Sequence, residues 1–311
     1  MTILITGAGG HIGRRLVDAL AARGETVVAV DIIDLHRTID RPDLVTFRRG
    51  SVANMSEVLD VIKTHRVERI FHLGAMLSVV SESNHWESHQ INVQGTMNVL
   101  EASRILGIKQ VFFASSRGTY GLDAGDVVDD FTVQRPTLFY GSGKLYGEGV
   151  GRWYRAKFGL DFRALRYPTM MAPGVRTAGH WAPAMIEDAI QGRAHTAQAS
   201  PSDLGAFLHV SDAVRGTLEI MNAPAERVAR VVYNLAGIQN LTSALDMEAA
   251  LVRRFPEFTV KYERQNGPHA TYSKFSDSQA RHDWGWRPEI DDLDKLISAF
   301  ERDVSNQSRI S

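Results

Sequence analysis

Two side chains that could move a proton stand four residues apart in the middle of the sequence. Tyr140 and Lys144 belong to the run YGSGK, and residues four apart share one face of a helix. An ammonium group beside a phenol favours the phenolate, so the spacing predicts that Lys144 lowers the pKa of Tyr140 from about 10. Such a tyrosine can take a proton from an alcohol while hydride leaves the same carbon. Because this pair also arises by chance on many helices, the interpretation depends on the rest of the chain.

A glycine-rich turn near the start of the chain supports this chemistry. Gly7, Gly10 and Gly13 lie between the β-rich residues 3–5 and a helical apolar pattern over residues 14–23. The first glycine allows a tight turn, the second lets the backbone approach a pyrophosphate, and the third lets the helix pack closely on the sheet. The free N–H groups at the helix start would face the phosphates. The pattern predicts a dinucleotide site.

An acidic residue ends the second strand-like run. Asp31 follows the valine-rich residues 26–30, where a carboxylate can bind the ribose hydroxyls of the dinucleotide. The same charge would repel a 2′-phosphate, so Asp31 favours NAD over NADP. An aspartate in a surface turn is the alternative interpretation, and tolerance of NADP stays open.

Strands and helices alternate along the first half of the chain. The later predicted strands are 45–47, 70–73, 110–114 and 162–166, and the later predicted helices are 55–65 (with Ser56 as its N-cap), 92–106 and 140–158. This alternation predicts an α/β fold, a Rossmann-type doubly wound parallel sheet with helices on both faces.

The pattern loosens after Arg166. The predicted elements there are helices 183–191, 244–255 and 293–304 and strands 207–210, 231–235 and 258–262. We therefore predict an NAD-binding Rossmann domain over residues 1–166, completed by about 207–235. A smaller, discontinuous C-terminal α/β substrate lobe would comprise residues 167–206 and 236–311.

The composition of the 311 residues restricts the class of function. The 35 basic and 36 acidic residues give a net charge of −1, which provides no electrostatic footprint for nucleic acid or an anionic membrane. The absence of cysteine excludes a disulfide scaffold, a thiolate metal site and a cysteine nucleophile. The histidines show no paired ligand spacing, so no metal is expected. With no apolar run of membrane length and no signal-like start, the sequence predicts a cytoplasmic protein.

Together the motifs resemble the extended short-chain dehydrogenase/reductase superfamily, which includes the NAD-dependent epimerases and dehydratases, over nearly the whole chain. Besides the glycine turn and YGSGK, the matching stretches are HLGA at 72–75, NVQGTMN at 92–98, ASS at 114–116 and LHVSD at 208–212. The resemblance implies that Tyr140 is the general base or acid and that Lys144 holds the nicotinamide ribose. Ser116 would hydrogen-bond the reacting oxygen, and Asn92 would support the active-site backbone.

The resemblance also implies that NAD is the cofactor and that the protein is a homodimer. The residues expected to bind NAD are Gly7, Gly10, His11, Ile12, Gly13, Asp31, Leu73, Gly74, Ala75, Tyr140, Lys144, Tyr167 and Pro168. Dimers of this superfamily commonly pack the Asn92 and Tyr140 helices of two copies together. The positions expected at that seam are Val99, Leu100, Val150 and Trp153, for which ordinary core packing is the alternative.

Within the superfamily, the sequence is similar to the short-chain L-threonine 3-dehydrogenases in three stretches. These are QRPT at 134–137, FGLDFRALRYP at 158–168 and DWGW at 283–286. The resemblance implies oxidation of a secondary alcohol in a small polar substrate, L-threonine or a related hydroxy acid or amino acid. The residues expected at the substrate are Ser78, Ser116, Arg117, Thr169, His180 and Trp181. An aspartate that this group carries in its substrate segment is absent, and His180 and Trp181 occupy that region.

Two other functions stay open at this stage. A nucleotide-sugar epimerase or dehydratase with tightly bound NAD would usually carry an asparagine where Thr169 stands, which argues against it. A non-catalytic, NAD-sensing regulator has no need of an alcohol base, so the set of Ser116, Tyr140 and Lys144 argues against that function. The sequence leaves the direction of the reaction open.

Overall fold

The computed structural model describes residues 1–35, 39, 41–176, 180–263 and 272–308. Its strands are β1 (Thr2–Thr6), β2 (Thr26–Asp31), β3 (Val45–Arg49), β4 (Arg69–His72), β5 (Gln110–Ser116), β6 (Val127–Val128), β7 (Asp161–Tyr167), β8 (Thr169–Met171), β9 (His195–Ala197), β10 (Leu204–His209), β11 (Val232–Asn234), β12 (Ile238–Ser243), β13 (Val260–Tyr262) and β14 (Lys274–Phe275). Its α-helices are α1 (His11–Ala22), α2 (Met55–Thr64), α3 (Ser78–Ser83), α4 (His85–Ser88), α5 (Gly95–Leu106), α6 (Phe139–Phe158), α7 (Trp181–Ile190), α8 (Val210–Asn222), α9 (Ala244–Arg254), α10 (Ser278–Asp283) and α11 (Leu293–Ser308).

The chain forms two compact units, each built from separated segments. The first comprises Met1–Thr119, Pro136–Arg166 and Val214–Tyr233, and the second comprises Tyr120–Arg135, Tyr167–Ala213 and Asn234–Ser311.

A seven-stranded sheet organises the first unit in the order β11-β7-β5-β4-β1-β2-β3. β1 pairs in parallel with both β2 and β4, and β2–β3 and β4–β5 are also parallel. The strand order therefore reverses at β1, and ligands of such sheets bind beyond the carboxyl ends of the strands at this switch point. The predicted α/β fold with a Rossmann-type parallel sheet is confirmed.

Helix α6 approaches the sheet closely through its glycines. A Cβ atom at Gly151 would lie 2.2 Å from Cζ of Phe162, a fully buried residue of β7. Since real Cβ atoms do not approach other atoms that closely, glycine is required at this position. The close packing places α6 directly against the strands whose ends carry the candidate site.

The second unit contains a five-stranded sheet in the order β6-β14-β12-β10-β8 and a two-stranded sheet of β13 and β9. β10 is parallel to β8 and antiparallel to β12. The buried side chains of Met171, Met185, Phe207 and Phe300 belong to its main core. The carboxylate of Asp212 accepts the Ile290 N–H at 2.9 Å, which ties the start of α8 to the segment before α11.

Three local predictions are wrong. Asn54 caps α2, and its side chain accepts the N–H groups of Ser56 and Glu57, so Ser56 lies inside the helix. The helix predicted from Asn92 is α-helical only from Gly95, because a π-helical turn covers His89–Gln94. The strand predicted to reach Val210 ends one residue earlier, and the helix α8 that follows was not predicted.

The predicted dimer seam also needs correction. Val99 and Leu100 are fully buried in the core of the first unit, where they pack on the inner face of α5. They therefore have no surface to offer a second copy. Trp153 is 53% exposed and Val150 is half-buried on α6.

In the described part of the chain, no helix has the length and apolarity needed to cross a membrane.

Two glycine substitutions on α6 test the close packing of this helix. We expect Gly151→Ala to lower the free energy of unfolding by about 1–3 kcal/mol, because the added methyl group overpacks the Phe162 ring. Gly149→Ala is the matched control, since its Cβ would meet nothing within 4 Å. The control should gain roughly 0.5–1 kcal/mol from helix propensity. Urea unfolding measures both values, and equal effects of the two substitutions would contradict the packing.

Candidate active site

The hydroxyl groups of Ser116 and Tyr140 meet at the carboxyl end of β5. Ser116 is the last residue of the strand and Tyr140 lies in the first turn of α6, where hydrogen bonding by Ser116 lowers the pKa of the Tyr140 phenol. The N–H of Gly118 donates to Oγ of Ser116 at 3.1 Å and fixes its orientation. A Cβ at Gly118 would lie 3.4 Å from that Oγ and 3.7 Å from Cδ1 of Tyr140, so the backbone passes close to both side chains.

Lys144 lies one turn further along α6, with only 4% of its surface exposed. Its Nζ donates to the carbonyl oxygen of Ala114 at 2.8 Å and lies 4.9 Å from the ring centre of Phe113. The distance from Nζ to the ring centre of Tyr140 is 5.6 Å. Burial lowers the pKa of Lys144 to about 7, and the carboxylate of Glu148 opposes that shift.

The predicted effect of Lys144 on Tyr140 is not observed. Burial raises the pKa of the Tyr140 phenol to about 12, and the hydrogen bond from Ser116 is the opposing influence. In water the ammonium group would favour the phenolate, whereas in the interior desolvation disfavours the charged forms of both groups. In this structure Ser116 is therefore the side chain that makes Tyr140 more acidic.

Asn92 connects the π-helical turn to the chain that follows β4. Its Oδ1 accepts the N–H of Met76 at 2.8 Å, and its Nδ2 donates to the Met76 carbonyl at 3.0 Å. The same Nδ2 donates to Ser88 Oγ at 3.2 Å. The buried Asn92 amide thus fixes the backbone two residues before Ser78, which begins α3 and is half-buried.

The glycine turn has the shape that a dinucleotide needs. Gly7 has a φ of +72°, which favours glycine, and a Cβ at Gly13 would lie 2.1 Å from the Gly7 carbonyl oxygen. Helix α1 begins at His11 with Gly10 as its N-cap, and no side chain caps it. The first N–H groups of the helix are left for a ligand, and helix N-termini attract phosphate. Of the other predicted NAD residues, Ile12 lies in the first turn of α1. Leu73, Gly74 and Ala75 follow the end of β4 directly.

Asp31 lies against this turn. Its Oδ2 accepts the N–H of Gly9 at 2.9 Å, and its Oδ1 accepts the N–H of Ile32 at 2.7 Å. The carboxylate is therefore held at the edge of the glycine turn, where the ribose of a dinucleotide would lie. The uncapped helix, the close glycine backbone and this carboxylate together fit NAD.

A buried histidine links the strand ends around the turn. Thr96 donates its hydroxyl to the Asn92 carbonyl at 2.7 Å, so it accepts the Nε2–H of His72 at 3.2 Å. Nδ1 of His72 then accepts the hydroxyl of Thr6 at 2.7 Å, and Thr6 accepts the Gly74 N–H at 3.3 Å. The chain of bonds fixes one neutral tautomer, and burial lowers the pKa of His72 to about 3.

The predicted substrate residues divide between the two units. The first unit contains Ser78, Ser116 and Arg117, and the second contains Thr169, His180 and Trp181. Thr169 is buried at the start of β8, directly after the predicted NAD residues Tyr167 and Pro168. His180 precedes α7, and the indole of Trp181 packs edge-on against Phe207, with 5.5 Å between ring centres.

Sequence reasoning missed several polar residues around this site. Glu82 of α3 accepts the backbone N–H of Tyr140 at 3.2 Å, and no sequence motif signalled it. Glu148, Ser115 and Arg166 form a buried cluster on the other side of Lys144. The four-residue spacing from Tyr140 through Lys144 to Glu148 was a usable signal. Across the residues that the structure describes, no three His, Asp or Glu side chains are grouped to hold a metal ion.

Comparison with known proteins places these features in a family. Residues 3–236 match the NAD dependent epimerase/dehydratase family, and the chain belongs to it. The mitochondrial L-threonine 3-dehydrogenase of Sus scrofa is 29% identical over 321 aligned residues, which cover 99% of this chain and 84% of that protein.

Solved structures give the same picture. The GalE-like L-threonine dehydrogenase of Cupriavidus necator, in its holo form, is 30% identical with a TM-score of 0.90, covering 98% of this chain and 100% of that one. The UDP-glucose 4-epimerase of Thermotoga maritima superimposes with a TM-score of 0.88 at 22% identity, covering 99% of this chain and 100% of that one. At that identity the epimerase establishes the shared fold alone.

Acid should destabilise the protein through His72. An unfolded histidine has a pKa of about 6.5 and therefore binds the proton before the folded one, whose pKa is about 3. The stability is full above the unfolded value and falls as the pH drops towards the folded value. We expect the free energy of unfolding to fall by about 1.4 kcal/mol for each pH unit of acidification between roughly pH 6 and pH 4, because of His72 alone.

Urea unfolding at a series of pH values measures this dependence. The variant His72→Gln has no imidazole to titrate and should show a slope that is shallower by the same amount. Parallel slopes for the wild type and the variant would contradict a neutral, buried His72.

Proposed function

We propose that this protein is an NAD-dependent dehydrogenase that oxidises the secondary alcohol of a small polar substrate, with L-threonine as the first candidate. The observation that carries the proposal is the placement of Ser116 at the end of β5 and of Tyr140 at the start of α6 beside the same Gly118 backbone, with Lys144 buried one helical turn away. The similarity to L-threonine dehydrogenases along nearly the whole chain supports the choice of substrate.

Most of the residues proposed for NAD belong to the first unit, whereas Tyr167 and Pro168 belong to the second. The uncapped start of α1 would bind the pyrophosphate, and Asp31 would bind the adenosine ribose. Lys144 would hold the nicotinamide ribose, while Tyr167 and Pro168 would flank the nicotinamide. Thr169, His180 and Trp181 of the second unit are proposed as residues for the substrate, which would make that unit the predicted substrate lobe.

The hydroxyl groups of Tyr140 and Ser116 have different roles in the proposed reaction. When bound, NAD would supply the acceptor for the hydride of the alcohol carbon. Tyr140 removes the hydroxyl proton as general base and becomes a neutral phenol, while Ser116 donates its hydroxyl hydrogen bond to the reacting oxygen. Because burial raises the pKa of Tyr140 to about 12, the small fraction of phenolate that can act as the base grows as the pH rises. With L-threonine the product would be a 2-amino-3-keto acid.

A panel assay tests this function. The purified protein is incubated with NAD and a series of small hydroxy acids and hydroxy amino acids, with L-threonine and UDP-glucose included, and NADH absorbance is followed. We expect NADH from L-threonine or a close analogue and none from UDP-glucose. Epimerisation of the nucleotide sugar, or no NADH from any small substrate, would contradict the proposal.

The variant Tyr140→Phe separates an enzyme from an NAD-binding regulator. Loss of the general base should reduce turnover by roughly 10²–10⁴-fold, while NAD binding measured by calorimetry stays close to that of the wild type. A variant with full turnover would show that Tyr140 is not the base.

We further propose that the protein acts in the cytoplasm as a homodimer. The outward face of α5 and α6 carries exposed apolar side chains, a surface typical of protein–protein contacts. The exposed members are Ile105, Tyr146, Trp153 and Phe158, and the Trp153 and Phe158 rings lie edge-to-face at 5.2 Å. A two-fold axis through this face would cover it with the same face of a second copy.

Light scattering after size exclusion tests the dimer. The wild type should have twice the mass of one chain, and Trp153→Glu should have the mass of a single chain because it puts a charge into the contact. Phe131→Glu, at an exposed aromatic residue of the second unit, is the matched control and should stay dimeric. A monomeric wild type would contradict the proposal.

A further inference from the structure

A carboxylate that the reaction itself does not use lies one helical turn beyond Lys144. Glu148 on α6 is 1% exposed, and its Oε1 and Oε2 accept Nε and Nη2 of Arg166 at 2.8 and 2.7 Å. Ser115 donates its hydroxyl to the same Oε1 at 2.5 Å. The carboxylate is thus bound by a two-pronged guanidinium and a hydroxyl in the interior of the first unit, a strong and directional arrangement.

The strand ends that Glu148 binds are those that carry the chemistry. Ser115 directly precedes Ser116 at the end of β5, and Arg166 directly precedes Tyr167 at the end of β7. Because α6 also carries Tyr140 and Lys144, one carboxylate connects the helix of the candidate base to both strands. A displacement of Glu148 would move Ser116 relative to Tyr140.

The charges around Lys144 also depend on this carboxylate. Lys144 and Arg166 are both buried cations, and buried charges are costly unless an opposite charge compensates them. The other titratable groups facing Lys144 are Tyr140, which is neutral below its raised pKa, and His72 of β4, which is neutral because its pKa is lowered. Glu148 therefore supplies the negative charge that compensates the buried cations Lys144 and Arg166.

We propose that Glu148 is a positioning residue for the dehydrogenase reaction, fixing the ends of β5 and β7 against α6 and holding Lys144 in its ammonium form. The proposal rests on the proposed function for its link to turnover. Its structural part concerns the protonation of Lys144 and stands without a substrate. Since Lys144 titrates near neutral pH, loss of the opposing carboxylate would leave most of its molecules uncharged under assay conditions.

The variant Glu148→Gln tests the proposal, because it keeps the shape and removes the charge. Lysine labelled with ¹³C at Cε reports the titration of Lys144 by NMR, with Lys144→Arg to assign the signal. We expect the midpoint to fall by about one pH unit, because the charge of Glu148 raises the pKa of Lys144 and the variant removes it. Turnover of the substrate at neutral pH should fall about fivefold to tenfold with the charged fraction.

Two further variants separate positioning from mere stability. Glu148→Asp restores the charge and should return the Lys144 midpoint towards the wild-type value. Asp161→Asn breaks another arginine–carboxylate pair on β7, in which Asp161 accepts Nη2 of Arg163 at 2.8 Å, and should leave both the midpoint and turnover unchanged. An unchanged midpoint in Glu148→Gln, or an equal shift in Asp161→Asn, would overturn the proposal.

Removing one partner of a buried ion pair can prevent folding, so a double variant completes the test. Glu148→Gln with Arg166→Met removes both charges, a change that buried pairs tolerate better than loss of one. We expect a smaller fall of the Lys144 midpoint, because the repulsion from Arg166 is also gone. An unchanged midpoint in the folded double variant would overturn the proposal. A shifted midpoint in a protein that oxidises no substrate would count against the proposed function alone.

Discussion

The approach of three backbone segments at the carboxyl end of β1 is the constraint on which the site depends. A Cβ at Gly7 would lie 2.6 Å from the backbone nitrogen of Gly74, and one at Gly13 would meet the Gly7 carbonyl. Such distances exclude any side chain at these positions, and β1, α1 and the segment after β4 therefore meet backbone to backbone. His72 and Asp31 each hold one side of this junction by hydrogen bonds. The turn that results leaves the start of α1 without a side-chain cap, so its first N–H groups are available to a pyrophosphate.

A second group of interactions extends from this junction into the buried polar interior of the first unit. His72 is neutral and fully bonded, whereas Lys144, Glu148 and Arg166 are charged and depend on one another. Polar groups of this kind contribute little net stability compared with an apolar core of the same volume. Their value is geometric, because each one has a single arrangement in which its hydrogen bonds are satisfied. The same arrangement places Ser116 against Tyr140.

Much of the fold could be predicted because its signals are local. The glycine spacing and the apolar periodicity of residues 14–23 and 140–158 identify the nucleotide turn and α6 within a few residues. Other features depend on tertiary contacts that a sequence does not display. Whether Asn54 or Ser56 caps α2 is decided by backbone angles, and the burial of Val99 is decided by which face of α5 meets the sheet. The start of α8 was missed because its first residues continue the apolar run of β10.

The pKa values of the site residues were harder to predict than the identity of those residues. The spacing places Tyr140 and Lys144 together as predicted, but the pKa of each depends on its burial, which the spacing does not display. Glu148 was not predicted as a buried residue of the site, because an acidic residue on a helix usually faces solvent. We propose that His180 and Trp181 of the second unit contribute to the choice of substrate, which stays a prediction.

Transfer of deuterium tests the central claim most directly. L-Threonine labelled with deuterium at its hydroxyl-bearing carbon is incubated with the protein and NAD, and the reduced cofactor is analysed by mass spectrometry. If the protein oxidises that carbon by hydride transfer, the NADH carries one deuterium and the amino-acid product carries none at that position. NADH without the label, or a labelled substrate recovered unchanged under saturating NAD, would contradict the account.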